Sequence, residues 1–80
     1  MSSHILFRYG HAIRRLRQEK NISQEVFADM CGLHRTYISD VELGKRNVSL
    51  ENIEKMSLAL DITLPDLFKE VVGNESVWRI

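Results

Sequence analysis

Apolar residues in this chain return at three- and four-residue intervals, three of these runs open on a capping Ser or Thr, and several close on a Gly or Asn. That pattern constrains the fold more than any other feature, because a 3.6-residue period with capped ends describes amphipathic helices and not strands. Leu6, Tyr9, Ile13 and Leu16 predict a first helix from about residue 5 to about 20, ended by Lys20 and Asn21. Ser23 caps a second helix whose Val26, Phe27, Met30 and Cys31 are expected to form one buried face, with Gly32 closing it. A short third helix runs from roughly Arg35 to Glu42, with Ile38 and Val41 turned inward and Gly44 as its stop. Ser49 caps a fourth, in which Leu50, Ile53, Met56 and Leu60 are the expected buried stripe. Thr63-Leu64-Pro65-Asp66 resembles a capping box with Pro in the first turn, opening a fifth helix through Leu67, Phe68 and Val71 that ends at Gly73-Asn74.

The second and third helices form the informative stretch, Gln24 to Glu42, which reads as helix, glycine turn, helix. A helix-turn-helix (about residues 23–43) requires two short helices that approach closely and a turn that tolerates positive φ. Ala28 is small on the inner face, and Gly32 has no Cβ to oppose a left-handed turn. Phe27, Cys31, Leu33, Ile38 and Val41 are apolar where the pair must bury itself. A plain helical bundle accounts for any one of these features, with Gly32 merely a C-cap. Their coincidence in register favours DNA binding.

Eighty residues give one all-α domain spanning 1–80, small enough that dimerisation would be a natural source of added stability. The single Cys31 cannot form an internal disulfide, and His4, His11, His34 and Cys31 lack the short paired spacings of a zinc site, so no metal is expected. With no signal-peptide pattern and no apolar run of spanning length, a cytoplasmic location without membrane association is expected. The formal net charge is zero, but it is unevenly placed. Residues 1–47 carry eight Lys/Arg against five Asp/Glu, a net +3, and residues 48–80 carry three against six, a net −3. A basic half and an acidic half suit a protein that orients itself on a polyanion.

The run Leu33-His34-Arg35-Thr36-Tyr37-Ile38-Ser39-Asp40-Val41-Glu42, followed by Gly44-Lys45-Arg46-Asn47-Val48-Ser49-Leu50, carries a recognisable resemblance. From about residue 10 to 70 the chain looks like a five-helix lambda-repressor/Cro-type domain (the XRE type), and it is most similar to the controller proteins of bacterial restriction–modification systems. The resemblance implies a homodimer on paired half-sites of an operator in double-stranded DNA, regulating its own gene and that of the endonuclease. It also implies no cofactor and no small-molecule ligand, with RNA polymerase as a further partner. An antitoxin-type interaction module that also binds DNA, or a phage-type repressor, are the alternatives. No nucleophile–base–orienter set or phosphate-cradling Gly-rich loop can be assembled, so an enzyme is not expected.

In such a domain the third helix enters the major groove. Arg35, Thr36, Ser39 and Asp40, with Tyr37 alongside, are then the base-reading candidates. Arg35 leads, because a guanidinium can pair bidentately with guanine O6 and N7. Asp40 is open between accepting from cytosine N4 and holding Arg35. With one basic residue on the reading helix, DNA shape is expected to supply part of the specificity. Gln24, Lys45, Arg46, Asn47 and Ser49 are the candidate phosphate contacts. Arg17 and Glu42 match positions that pair between the first and third helices in this family, a structural role. Leu43 departs from the pattern, since similar proteins often carry Arg there. The fifth helix and tail (about 63–80), through Phe68, Val71, Val72 and Trp78, are the expected dimer surface, with completion of the monomer core as the alternative.

Overall fold

The computed structural model describes residues 4–73 as five α-helices: α1 His4–Glu19, α2 Gln24–Cys31, α3 Arg35–Glu42, α4 Leu50–Ala59 and α5 Leu64–Val72. Their starts follow from side-chain chemistry. Ser23, Ser49 and Thr63 are each in extended backbone, and each hydroxyl accepts a hydrogen bond from the amide three residues on, those of Val26, Asn52 and Asp66. Each thereby satisfies one of the amide donors that a helix start leaves without a partner. Pro65 lies in the first turn of α5, where its missing N–H costs nothing. Gly32 ends α2 in the left-handed region at φ 70°, with its amide on the carbonyls of Ala28 and Asp29. Among the described residues, no helix is long and apolar enough to cross a membrane.

α1 packs on α3 and α5, while α2 packs on α3 and α4, so α1 and α2 flank the short third helix. One cluster of buried apolar residues holds them, including Ile13, Phe27, Ile38, Val41, Met56, Leu60 and Leu67. Tyr9 joins it with its hydroxyl donating to Met56 Sδ at 3.2 Å, and Arg15 bridges from α1 to Glu70 on α5. Three apolar positions expected in the core lie outside it. Val26 and Met30 are 46% and 52% exposed, and Leu50 is 83% exposed. The reason is geometric. An eight-residue α2 packed on α3 and α4 buries the stripe Phe27, Ala28 and Cys31, and Val26 and Met30, at the edge of that stripe, turn outward. Leu50, the first residue of α4, precedes the turn at which that helix meets its neighbours.

Gly10 decides how closely α1 and α3 approach. A Cβ built there would lie 2.2 Å from the Val41 carbonyl oxygen and 2.9 Å from that of Glu42. Both are backbone atoms at the end of α3 and cannot rotate aside. Gly to Ala inside a helix ordinarily stabilises by about 1 kcal/mol. Here forced overpacking, typically about 1–3 kcal/mol or more, opposes that gain. Gly10→Ala is therefore expected to be destabilising by about 2 kcal/mol in urea denaturation, against about 1 kcal/mol for Gly32→Ala, where φ is unfavourable but space is open.

Cys31 is buried at the end of α2, and burial pushes its thiol up from 9 to about 11, with Lys55 pulling weakly the other way. Burial likewise raises the Tyr9 phenol well above its ordinary value. Both groups are neutral when protonated, so the folded chain holds these protons more tightly than the unfolded chain. Between those two thiol pKa values the unfolded state binds fewer protons, and stability must fall as pH rises. Denaturation midpoints are expected to be flat near neutrality and to drop between about pH 9 and 11, a drop that Cys31→Ala reduces.

Candidate nucleic-acid interface

The position of α3 is set by a buried ion pair at its C-terminal end. Arg17 of α1 donates from Nε to Glu42 Oε2 at 2.7 Å and from Nη2 to Oε1 at 2.9 Å, a bidentate fork. Its remaining Nη1 donates to the Ile22 carbonyl at 2.8 Å, in the loop that leads into α2. Gln24, the first residue of α2, donates from Nε2 to Glu42 Oε1 at 3.0 Å. One carboxylate thus takes three hydrogen bonds from two other helices, and both charged side chains are buried. The orientation of the whole helix-turn-helix relative to α1 rests on this cluster.

On the outer side of that frame, Arg35 occupies the first position of α3, exposed and without a hydrogen bond or ion pair to any described residue. Thr36 beside it is exposed, and Ser39 is half-buried one turn further on. His34 precedes them as the N-cap residue in extended backbone, but its side chain makes no capping bond. Tyr37 is neither a core tyrosine nor a free one. It is half-buried, its hydroxyl accepts from Asn52 Nδ2 at 3.1 Å, and its ring lies 5.3 Å from the Arg46 guanidinium carbon. Asp40 accepts from Arg46 Nε at 3.3 Å. The side chain that Asp40 engages is therefore Arg46 in the following loop, not Arg35.

The loop from Leu43 to Ser49 lies between this helix and α4. Lys45 and Asn47 are exposed, and Lys45 donates its backbone amide to the Asp40 carbonyl at 2.9 Å, anchoring the loop to α3. The Ser49 hydroxyl already caps α4 through the Asn52 amide. Gln24 likewise has one amide hydrogen committed to Glu42. Leu43, the C-cap of α3, is exposed. Of the expected contact residues, Arg35, Thr36, Ser39, Lys45 and Asn47 are left with side chains unengaged among the described residues. Asn52 was missed by sequence reasoning. The only sign of it is its place three residues after the capping Ser49, which puts it in the first turn of α4.

The residues expected to make a dimer surface differ in their burial within the single chain. Val71 is 4% exposed within the single chain and belongs to its core, as the alternative reading of this region has it. Val72 is half-buried, while Phe68 is 37% exposed and leans on Tyr9 with ring centroids 6.4 Å apart. Trp78 lies outside the described residues.

The helix-turn-helix family matches residues 13–67, which span α1 from Ile13 through α4 and into α5. Across 76 residues the chain is 50% identical to the control protein C.BamHI of Bacillus amyloliquefaciens, covering 92% of this chain and 94% of that one. The chain belongs to the helix-turn-helix controller proteins. In structure, this controller protein is similar to the restriction–modification controller protein C.AhdI of Aeromonas hydrophila, with a TM-score of 0.76 and 49% identity over 79% of this chain and 96% of that one. It is also similar to C.Esp1396I, a controller protein solved as a tetramer in complex with its natural 35 base-pair operator. There the TM-score is 0.82 and the identity 30%, over 88% of this chain and 92% of that one.

The buried cluster gives a direct test of what holds α3 in place in this controller protein. Removing one partner of a buried pair leaves the other charge uncompensated, at a cost of about 3–5 kcal/mol, whereas replacing both by apolar groups is often close to neutral. Glu42→Leu alone should lower the unfolding free energy by at least about 3 kcal/mol. The double variant Arg17→Met, Glu42→Leu should recover most of that loss, as read by urea denaturation followed by circular dichroism.

Proposed function

We propose that this controller protein is a homodimeric, sequence-specific regulator of transcription that binds paired half-sites in double-stranded operator DNA and acts by binding rather than by catalysis. One observation carries the reading: Arg35 and Thr36 stand unengaged at the start of an α3 that is held rigidly from behind by the Arg17–Glu42–Gln24 cluster. Side chains that read bases must be presented by a scaffold that does not move, and the N-terminal residues of a recognition helix are those that reach base edges. The operator complex of C.Esp1396I supports DNA as the partner.

In this reading Arg35 pairs with a guanine edge and Thr36 and Ser39 contact neighbouring bases, with Tyr37 alongside. Lys45, Arg46 and Asn47 in the loop, together with Gln24 and Ser49, supply phosphate contacts that set affinity and salt dependence. Two copies on half-sites about one helical turn apart, roughly 34–36 Å, make the protein's own concentration the control variable. The regulated genes are its own and that of a restriction endonuclease, by likeness to the controller proteins above. It works in the cytoplasm, with no cofactor, and RNA polymerase is the further partner at the promoter.

Fluorescence anisotropy with the duplex just upstream of its own gene tests this, with a scrambled duplex and Arg35→Ala as controls at fixed near-physiological salt. Tight binding in two steps, lost in both controls, is expected. Arg35→Ala should cost about 1–3 kcal/mol on the native duplex, the worth of one bidentate base contact. Equal weak binding to both duplexes would overturn the proposal.

A further inference from the structure

The acid on the reading helix has a definite neighbour, and it lies in the loop. Asp40 Oδ2 accepts from Arg46 Nε at 3.3 Å, and the same guanidinium lies over the Tyr37 ring at 5.3 Å. The ring is in turn fixed by Asn52 Nδ2 donating to its hydroxyl at 3.1 Å. Residues from α3, the loop and α4 thus fix one cation. The loop is pinned one residue earlier, where the Lys45 amide bonds the Asp40 carbonyl. Lys45 itself has no such partner among the described residues.

We propose that Asp40 is a positioning residue for specificity, holding Arg46 at one place beside the reading helix so that its charge meets a phosphate only in the operator's geometry. This rests on the DNA-binding reading above and assigns Asp40 a role that acts through Arg46 rather than on a base.

The chemistry suits that role. A guanidinium has five N–H donors in a fixed planar fork, and the contact with Asp40 uses Nε alone. The four Nη hydrogens stay available to a phosphate while Nε stays on the carboxylate. An unheld arginine would follow the backbone of any duplex, since phosphate attraction is blind to sequence. Held by Asp40 and Tyr37, it must give up both contacts to reach a phosphate in the wrong place. Asp40 also carries a negative charge next to the DNA surface, which weakens binding wherever Arg46 does not make its phosphate contact. The position thus disfavours wrong sites more than it strengthens the right one.

The test is a double-mutant cycle on the full chain with Asp40→Ala, Arg46→Gln and both together, measuring dissociation constants for the upstream duplex and a scrambled duplex of equal length. Asp40→Ala should lower the ratio of specific to scrambled affinity by about three- to fivefold, the scale an exposed ion pair sustains. Most of the change should be tighter scrambled binding with a steeper salt dependence. In the Arg46→Gln background the same substitution should change the ratio by less than about 1.5-fold. In the free protein, the Arg46 Nε–H signal in nitrogen-15 NMR, assigned by its loss in Arg46→Gln, should shift in Asp40→Ala. An equal effect of Asp40→Ala in both backgrounds, or an Arg46 signal that does not move, would overturn the proposal while leaving the DNA-binding reading intact. A wild-type chain that prefers neither duplex would instead remove the reading on which it rests.

Discussion

The carboxylate of Glu42 is buried, and a buried charge is tolerated only when its hydrogen-bonding capacity is met. Arg17 meets two of its demands and Gln24 a third, while Arg17 spends its last nitrogen on the Ile22 carbonyl. Every partner sits on a different piece of backbone: α1, the loop before α2, the first turn of α2, and the last turn of α3. Sliding α3 along α1, or tilting it away from α2, would strand at least one of these groups without water. Apolar packing is tolerant of small shifts, but a bidentate fork is directional. The cluster therefore fixes the pose of α3 in a way that its buried apolar residues Ile38 and Val41 do not.

Gly10 complements that constraint from the other side of the contact. The backbone of α3 comes so near α1 that no side chain fits between them at this point. Close approach brings Arg17 of α1 within reach of Glu42 and lets α1 and α2 grip an eight-residue helix that would be marginal alone in water. The opposite face of α3 is thereby freed from holding the fold. Its side chains divide into two sets: Arg35 and Thr36, which are exposed and unengaged, and Tyr37 and Asp40, which are tied to Asn52 and Arg46. A rigid back, a set of unengaged polar side chains and a second set of mutually braced groups make a surface suited to a ligand of fixed shape. Duplex DNA, with its regular phosphate spacing, is such a ligand.

Much of this was legible in the sequence because it depends on local chemistry. The three capping hydroxyls, the Gly32 turn and the apolar stripe of α1 act within a few residues of themselves, and periodicity reports them directly. The pairing of Arg17 with Glu42 spans 25 residues and came from the resemblance; no spacing rule would have joined them. Where periodicity misled, it did so at helix edges. Val26, Met30 and Leu50 sit on the apolar side of an ideal helix, yet short helices bury only a narrow stripe, and their neighbours cover just that stripe. Val71 has two readings, interface or core, and spacing alone does not choose between them; in the single chain it is buried in the core.

The sequence by itself determined five helices, most of their starts and stops, the glycine turn between the second and third, and the family to which such a chain belongs. Those follow from backbone hydrogen-bonding needs and from a 3.6-residue period, both local. Only the tertiary structure decided which polar side chains are free and which are already spent. Asp40 faces Arg46 because the loop folds back onto α3, Tyr37 is braced because α4 brings Asn52 beneath it, and Gln24 is half committed because α2 starts beside Glu42. A side chain's partners depend on distances between segments remote in the chain, and those distances exist only once the core has closed.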